Sequence, residues 1–316
     1  MEMMKAYICT KYGPPEVLHL ESCNKPVIKS DEVLVKIYST SVTNSDIFIR
    51  SSNVSKQVLI PFRIMIGILK PRKKIIGQVF AGIIEEVGAD IEKLKVGEKV
   101  YGLTGFSLGA YAEYMKLKEV NSKQGCISLM PKNISFEEAT AAAYGGLLAL
   151  QFLEKKNITA GHKVLIYGAS STSGIFALQY CKYFGAEVSA VCSEAKFEFV
   201  KSLGADKVLD YRNDESIKKL EMYDIIFDCV GKAKQSLLRK TCLQHINNKN
   251  DFISIDDEPL LLSANRLVKI SNLVQDRVIK LVNDKIYSFE QMIAAHKYVE
   301  LGHKKGNVAV TVNSET

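Results

Sequence analysis

One continuous apolar segment, Lys163-Val-Leu-Ile-Tyr167, constrains this chain more than any other feature. It runs into a turn of small residues, Gly168-Ala-Ser-Ser-Thr-Ser-Gly174, and then into a stretch where Ile175, Leu178 and Cys181 recur at helical spacing. A strand without polar alternation is expected where both faces of a sheet are covered. Glu187-Val-Ser-Ala-Val-Cys192 repeats the strand signal, and further strands are expected at 207–210, 223–229 and 251–255, with helical stretches between them. Such a β-α-β-α rhythm predicts an α/β fold with a parallel, doubly wound sheet and right-handed crossovers.

The first third has a different texture. Residues 5–9 read as a strand followed by a Gly13-Pro14-Pro15 turn. In residues 32–38, Val33, Val35 and Ile37 alternate with Glu32, Leu34 and Lys36, which is a strand period. Residues 75–87 are β-branched and punctuated by glycine, and Val96-Gly-Glu-Lys-Val-Tyr101 is another strand-turn signal. Glycines in such strands mark bends of a curved sheet. The texture changes near Pro131. Residues 135–153 are alanine-rich, and Ser135 with Glu138 has the spacing of a capping box. The tail from 288 to 312 reads as a helix followed by a short strand at 307–312. A chain of 316 residues exceeds one ordinary core, so two domains are expected.

Composition excludes several classes. Apolar residues are 47% and charged residues 24%, which is ordinary for a globular protein. No apolar run approaches the roughly 20 residues of a membrane span, and residues 1–11 lack the apolar core of a signal peptide. A cytoplasmic protein without a membrane partner is expected. The seven cysteines form no C-x-x-C pair and are irregularly spaced, so buried free thiols are expected rather than a disulfide framework. The net charge of +7 suits an anionic cofactor. The densest basic run, Lys70-Pro-Arg-Lys-Lys74, has no interleaved aromatics. It reads as a solvated loop, and no nucleic-acid partner is expected.

The turn between Tyr167 and Gly174 sits where a dinucleotide site requires it. Gly168 can make the tight turn, and Gly174 lets the helix pack closely on the strand. A helix N-terminus offers N–H groups and partial positive charge to a diphosphate. The candidate contacts are Gly168, Ser170, Ser171, Thr172, Ser173 and Gly174. Ser171 stands where the middle glycine of the usual pattern lets the backbone approach the phosphates; it could crowd them or donate a hydroxyl to them. A plain strand–helix connection is the alternative. After the strand ending at Cys192 come Ser193-Glu-Ala-Lys196, with no carboxylate at the strand end to bind a ribose 2′-hydroxyl. Ser193 and Lys196 could instead hold a 2′-phosphate. NADPH is therefore expected ahead of NADH, although Lys196 as an ordinary surface residue stays open.

With these residues placed, the chain resembles the medium-chain dehydrogenase/reductase superfamily, in its zinc-free quinone oxidoreductase-like branch. The motifs that carry the resemblance span almost the whole chain in order. They are Lys5-Ala-Tyr with Tyr12-Gly-Pro-Pro-Glu-Val17, Gly77-Gln-Val-Phe-Ala-Gly82, Val96-Gly-Glu-Lys-Val-Tyr-Gly102 and Gly109-Ala-Tyr-Ala-Glu-Tyr114. Leu203-Gly-Ala-Asp206, Asp210-Tyr211, Asp228-Cys-Val-Gly231, Ala295-His296 and Gly302-His-Lys-Lys-Gly-Asn307 follow. The resemblance implies a GroES-like β-barrel domain for substrate at 1–128 and 288–316, discontinuous in sequence, and a Rossmann dinucleotide-binding domain at 129–287. It implies an active site in the cleft between domains. It also implies that Tyr211 joins Ser193 and Lys196 around the 2′-phosphate, with Cys229, Val230 and Ile255 on the nicotinamide side.

Departures from the family pattern refine the expectation. Zinc members carry Cys at the position of Thr43 and a His-Glu pair at Gln78-Val79. Thr and Val are not zinc ligands and Gln is a poor one, so no zinc is expected. Quinone oxidoreductase-like members often have Asn where Thr43 stands and Tyr where Phe48 stands. Thr43, Asn44 and Ser45 remain as candidate catalytic residues, Thr43 as a direct substrate contact or as a turn hydroxyl bonded to backbone. Between Asp228 and Ala295 the chain is shorter than most relatives by about one strand, so the edge-to-edge dimer usual in the family is expected to be altered or absent. The expected activity is hydride transfer from NADPH to a quinone or an α,β-unsaturated carbonyl. The alternative is a catalytically weak or idle NADPH-binding regulatory or redox-sensing protein.

Overall fold

The apolar segment Lys163–Tyr167 is the middle strand of a five-stranded parallel sheet in the computed structural model, which describes residues 2–54, 56–119, 124–231 and 236–314. The strand order is Lys207–Asp210, Glu187–Cys192, Lys163–Tyr167, Ile225–Asp228, Phe252–Ser254. All four pairings are parallel, and the order reverses beside Lys163–Tyr167, as in a doubly wound fold. Val164, Leu165 and Ile166 are wholly buried, which is why the strand shows no polar alternation. One face packs Leu165, Val191, Leu209 and Ile226 against Leu238, Cys242 and Ile246. The last strand has only three residues, and no further strand of this sheet follows among the described residues. This sheet belongs to a compact unit made of Tyr144–Leu261 and Asn272–Val282.

The other unit comprises Met1–Ala143, Leu262–Ser271 and Asn283–Thr316. Its main sheet has the order Asn283–Ser288, Asn307–Thr311, Glu32–Ser41, Val79–Val87, Lys99–Leu103, Cys126–Leu129, with Tyr114–Lys118 also paired to Glu32–Ser41. A two-stranded ribbon, Met3–Cys9 with Leu18–Asn24, accompanies it. Register shifts at Leu34/Val35 and Ile37/Ser39 bend the central strand, because an extra residue on one side of a ladder increases twist. The curved sheet encloses Val33, Val35, Ile37, Phe80, Ile84, Val100 and Met115. The tail strand pairs antiparallel with the central strand, Ala309 opposite Ser41. Strand Asn283–Ser288 and helix Lys56–Ile66 have no counterpart in the sequence reading.

The capping box at Ser135 is formed. The Ser135 amide donates to Glu138 Oε2 at 2.9 Å, and the Glu138 amide to Ser135 Oγ at 3.2 Å, ahead of helix Phe136–Leu153. Six of the seven cysteines are buried, and Cys23 is half-buried. Among the described residues, no helix is long and apolar enough to cross a membrane.

Candidate cofactor site

Strand Lys163–Tyr167 ends at Gly168, whose φ of +82° lies in the left-handed region that favours glycine. A Cβ there would lie 2.5 Å from Val230 Cγ2. The turn is braced by its own backbone. The amides of Gly168 and Ala169 both donate to the Val191 carbonyl, at 2.9 and 3.0 Å, and the Ser171 amide donates to Gly168 O at 3.0 Å. Helix Thr172–Tyr183 then starts against the strand. A Cβ on Gly174 would lie 2.3 Å from Gly168 O and 2.8 Å from Ala169 Cα, so only glycine allows this approach.

Ser171 is the N-cap of that helix. Its Oγ accepts from the Gly174 amide at 3.0 Å and lies 3.4 Å from Ser173 Oγ. The hydroxyl is turned into the first helical turn. It satisfies one orphan donor while retaining its own proton. Ser170 and Ser173 are nearly buried, whereas Ser171 and Thr172 are half-exposed. A cradle that a Cβ would fill, next to a helix start, fits the diphosphate of a dinucleotide.

On the neighbouring strand Ile225–Asp228, the Cys229 amide donates to Tyr167 O at 2.8 Å, and the Ile255 amide to Asp228 O at 3.0 Å. Cys229, Val230 and Ile255 thus lie just past the ends of adjacent strands, Cys229 and Val230 next to Gly168. Burial pushes the Cys229 thiol well above its ordinary range, so it stays protonated. Asp228, which is fully buried, holds this loop. Its Oδ1 accepts from the amides of Val230 (3.0 Å) and Gly231 (3.1 Å), and its Oδ2 accepts from Arg239 Nε (2.8 Å), a second Arg239 nitrogen (2.6 Å) and Ser254 Oγ (3.2 Å). The sequence reading quoted Asp228 only within a motif and did not single out Arg239.

At the other end, Ser193 and Lys196 are half-buried and flank a single helical turn, Glu194–Lys196, with the Lys196 amide donating to Ser193 O at 2.8 Å. Tyr211 is exposed at the end of the next strand. Asp210 ties the two loops together by accepting from the Glu194 amide (3.2 Å), the Arg212 amide (2.9 Å) and the Arg212 guanidinium (2.9 and 3.2 Å). Burial works to raise the Asp210 pKa, but these bonds, led by Arg212, hold it below the ordinary carboxylate value. Arg212 lies 5.7 Å from the Tyr211 ring centroid, and the loop carrying Tyr211 and Arg212 is held beside the loop carrying Ser193 and Lys196. Arg212 escaped the sequence reading, although a cation directly after Tyr211 was a visible signal.

Thr43, Asn44 and Ser45 begin helix Asn44–Ser51 in the other unit. Thr43 is 5% exposed. It is the N-cap of a reciprocal capping box in which its Oγ1 donates to Asp46 Oδ2 (2.6 Å) and accepts from the Asp46 amide (3.2 Å), while the Thr43 amide donates to the same carboxylate (2.9 Å). The Thr43 hydroxyl is thus bonded within its own turn, to both the carboxylate and the amide of Asp46. Asn44 is exposed and Ser45 half-buried. Behind them Asp46, Arg50, Tyr111 and His296 are all fully buried. Burial pushes the Asp46 carboxyl up to about 6, against the hydrogen bonds from Thr43. Among the described residues, no three His, Cys, Asp or Glu side chains are grouped to hold a metal ion.

Residues 29–128 match the alcohol dehydrogenase GroES-like domain, and residues 174–251 match the zinc-binding dehydrogenase domain. The chain is 29% identical to the 2-methylene-furan-3-one reductase of Solanum lycopersicum, over 97% of this chain and 79% of that protein. It is 26% identical to the chloroplastic NADPH-dependent alkenal/one oxidoreductase of Arabidopsis thaliana, with the same coverage. Among solved structures, the quinone oxidoreductase of Coxiella burnetii superposes with a TM-score of 0.81 at 24% identity, over 99% of this chain and all of that one. The curved sheet is thus a GroES-like domain and the parallel sheet a Rossmann-like one, and the chain belongs to the medium-chain dehydrogenase/reductase superfamily, in its quinone oxidoreductase-like branch.

Proposed function

We propose that this protein is a zinc-independent, NADPH-dependent reductase that delivers hydride to a quinone or an α,β-unsaturated carbonyl, working in the cytoplasm. The observation that carries the reading is the braced turn from Gly168 to Gly174, a cradle closed to any Cβ and opening on a helix start. In this reading residues 1–128 with 288–316 handle substrate, and 129–287 bind the dinucleotide. When bound, the reduced nicotinamide supplies the hydride. Gly168, Ser170, Ser171, Thr172, Ser173 and Gly174 hold the diphosphate. Ser193, Lys196 and Tyr211, joined by Arg212, hold the 2′-phosphate. Cys229, Val230 and Ile255 flank the nicotinamide.

Zinc independence rests on the residues at the family's zinc positions, Thr43, Gln78 and Val79, which do not make a ligand set. Without a Lewis acid, conjugation must spread the developing charge, so a weak donor suffices. Because the Thr43 proton is already given to Asp46, we assign the exposed Asn44 as the principal substrate contact of the Thr43-Asn44-Ser45 group. The names of the two curated relatives, an enone-type reductase and an alkenal/one oxidoreductase, support this substrate class. The three-residue edge strand Phe252–Ser254 supports an altered or absent edge-to-edge dimer.

Fluorescence titration with NADPH and NADH, followed by NADPH oxidation with a panel of quinones and enones, tests the reading. Tighter NADPH binding and turnover of at least one acceptor are expected. Binding of neither nucleotide overturns it. Binding without turnover selects a regulatory NADPH-binding protein instead, a reading favoured by the capped Thr43 hydroxyl.

A further inference from the structure

Residues 47–84 contain no Asp or Glu but seven cations: Arg50, Lys56, Arg63, Lys70, Arg72, Lys73 and Lys74. Setting these seven aside leaves 35 basic residues to balance 35 acidic ones, so the whole net charge of +7 belongs to this segment. Two of the seven are used internally. Arg50 is buried and bonded to Glu300, and Arg63 bonds Ser52 Oγ at 3.0 Å and lies over the Tyr12 ring. Lys70, Arg72, Lys73 and Lys74 are exposed and make no ion pair with a described residue.

The same segment carries exposed aliphatic side chains. Helix Lys56–Ile66 packs Phe62 and Ile66 on the core of its unit, yet its other side shows Ile60 (71% exposed), Ile64 (56%) and Met65 (47%). Ile68 (62%) and Leu69 (86%), just past the helix and directly before the basic run, are exposed as well. The backbone holds them there. Tyr12 donates its hydroxyl to Gly67 O at 2.5 Å, the Arg72 amide donates to Ile66 O at 2.8 Å, and Pro71 is buried. A Cβ on Gly67 would lie 1.9 Å from Lys70 O, so the bend is tight. Several large apolar side chains kept exposed within one short segment, next in sequence to unpaired cations, mark an interaction surface.

We propose that this face docks on an anionic lipid surface, with Ile64, Met65, Ile68 and Leu69 entering the boundary between headgroups and acyl chains and the four free cations meeting lipid phosphates and carboxylates. Two weak signals, apolar insertion and a polybasic cluster, together give stable peripheral binding where one does not. A second copy of the chain is the poorer occupant, because a two-fold contact of this face with itself sets like charges against each other. The reductase reading is not needed for this proposal.

Co-sedimentation of the full chain with phosphatidylcholine vesicles, with and without phosphatidylserine, tests it. Binding is expected only with phosphatidylserine present, and lost at high salt. Each cation removed should weaken partitioning about fivefold, so K70A/R72A/K73A/K74A loses it by several hundredfold. Leu69→Ser, which leaves the charge intact, should also weaken it. All these positions are exposed, so both variants should keep the parental melting temperature. Equal binding to neutral vesicles, no binding to either kind, or a dimer in gel filtration that Leu69→Ser dissociates would each overturn the proposal.

Discussion

Gly168 and Gly161 offer a controlled test of the phosphate cradle. They have nearly the same backbone conformation, φ +82° and +84°, and belong to the same unit. Around Gly161 a Cβ would meet nothing within 4 Å, whereas at Gly168 it would lie 2.5 Å from Val230 Cγ2. Alanine at either site bears the left-handed penalty of about 1–2 kcal/mol. At Gly168 the Val230 side chain must also leave its rotamer, at about 0.5–1.5 kcal/mol more. Gly161→Ala should therefore lose about 1–2 kcal/mol in urea unfolding, and Gly168→Ala about 1.5–3.5 kcal/mol. The functional difference should be larger than this. Displacing Val230 disturbs the loop that Asp228 holds, and relaxing φ rotates the amides of the turn. NADPH affinity should fall by about tenfold or more, roughly 1.4 kcal/mol, in Gly168→Ala. It should stay unchanged in Gly161→Ala, as read by nucleotide fluorescence. Equal stability losses would refute the contact argument. Unaltered NADPH affinity in a folded Gly168→Ala would refute the assignment of this turn to the diphosphate.

Three further perturbations address separate parts of the structure. Lys196→Ala and Arg212→Ala should each weaken NADPH by about tenfold to a hundredfold, the worth of about 1.5–3 kcal/mol for hydrogen bonds to a charged group, and leave NADH nearly unchanged in parallel titrations. Arg239→Leu leaves the fully buried Asp228 without its counter-ion and should cost about 3–5 kcal/mol. The double variant with Asp228→Asn should recover part of that loss in the same urea series. His296 is buried, with no hydrogen-bond partner on either ring nitrogen among the described residues, and burial, followed by the nearby Arg50 charge, lowers its pKa from 6.5 to about 3. Its contribution to stability is present above pH 6.5 and lost as pH falls toward 3. The raised Asp46 has the opposite sign, its contribution lost as pH rises through about 6. His296→Phe should therefore flatten the acid limb of a melting-temperature profile, and an unchanged limb would show that His296 does not titrate there.

The strands Lys163–Tyr167 and Glu187–Cys192 have the bounds expected from their apolar runs, because a strand covered on both faces writes its burial into a local window. Strand Asn283–Ser288 reads Asn-Asp-Lys-Ile-Tyr-Ser and has no buried residue, and it exists through pairing with Asn307–Thr311, which no local window contains. Helix Lys56–Ile66 is β-branched in part and interrupted by Pro61, so its sequence speaks against the helix that its packing imposes. Site residues are read differently, since what matters is whether a polar group is already committed. The Thr43–Asp46 spacing is itself that of a capping box, a commitment of the hydroxyl that residue type alone does not reveal. Ser171 sits in an equivalent cap with the opposite consequence. A hydroxyl has one proton and two lone pairs. Thr43 gives its proton to the Asp46 carboxylate and can offer substrate only a lone pair. Ser171 takes its cap bond as an acceptor from Gly174 and keeps a proton for Ser173 or for an arriving phosphate oxygen. Two hydroxyls at two helix starts, alike in sequence, thus differ as donors because only one has an acid three residues on.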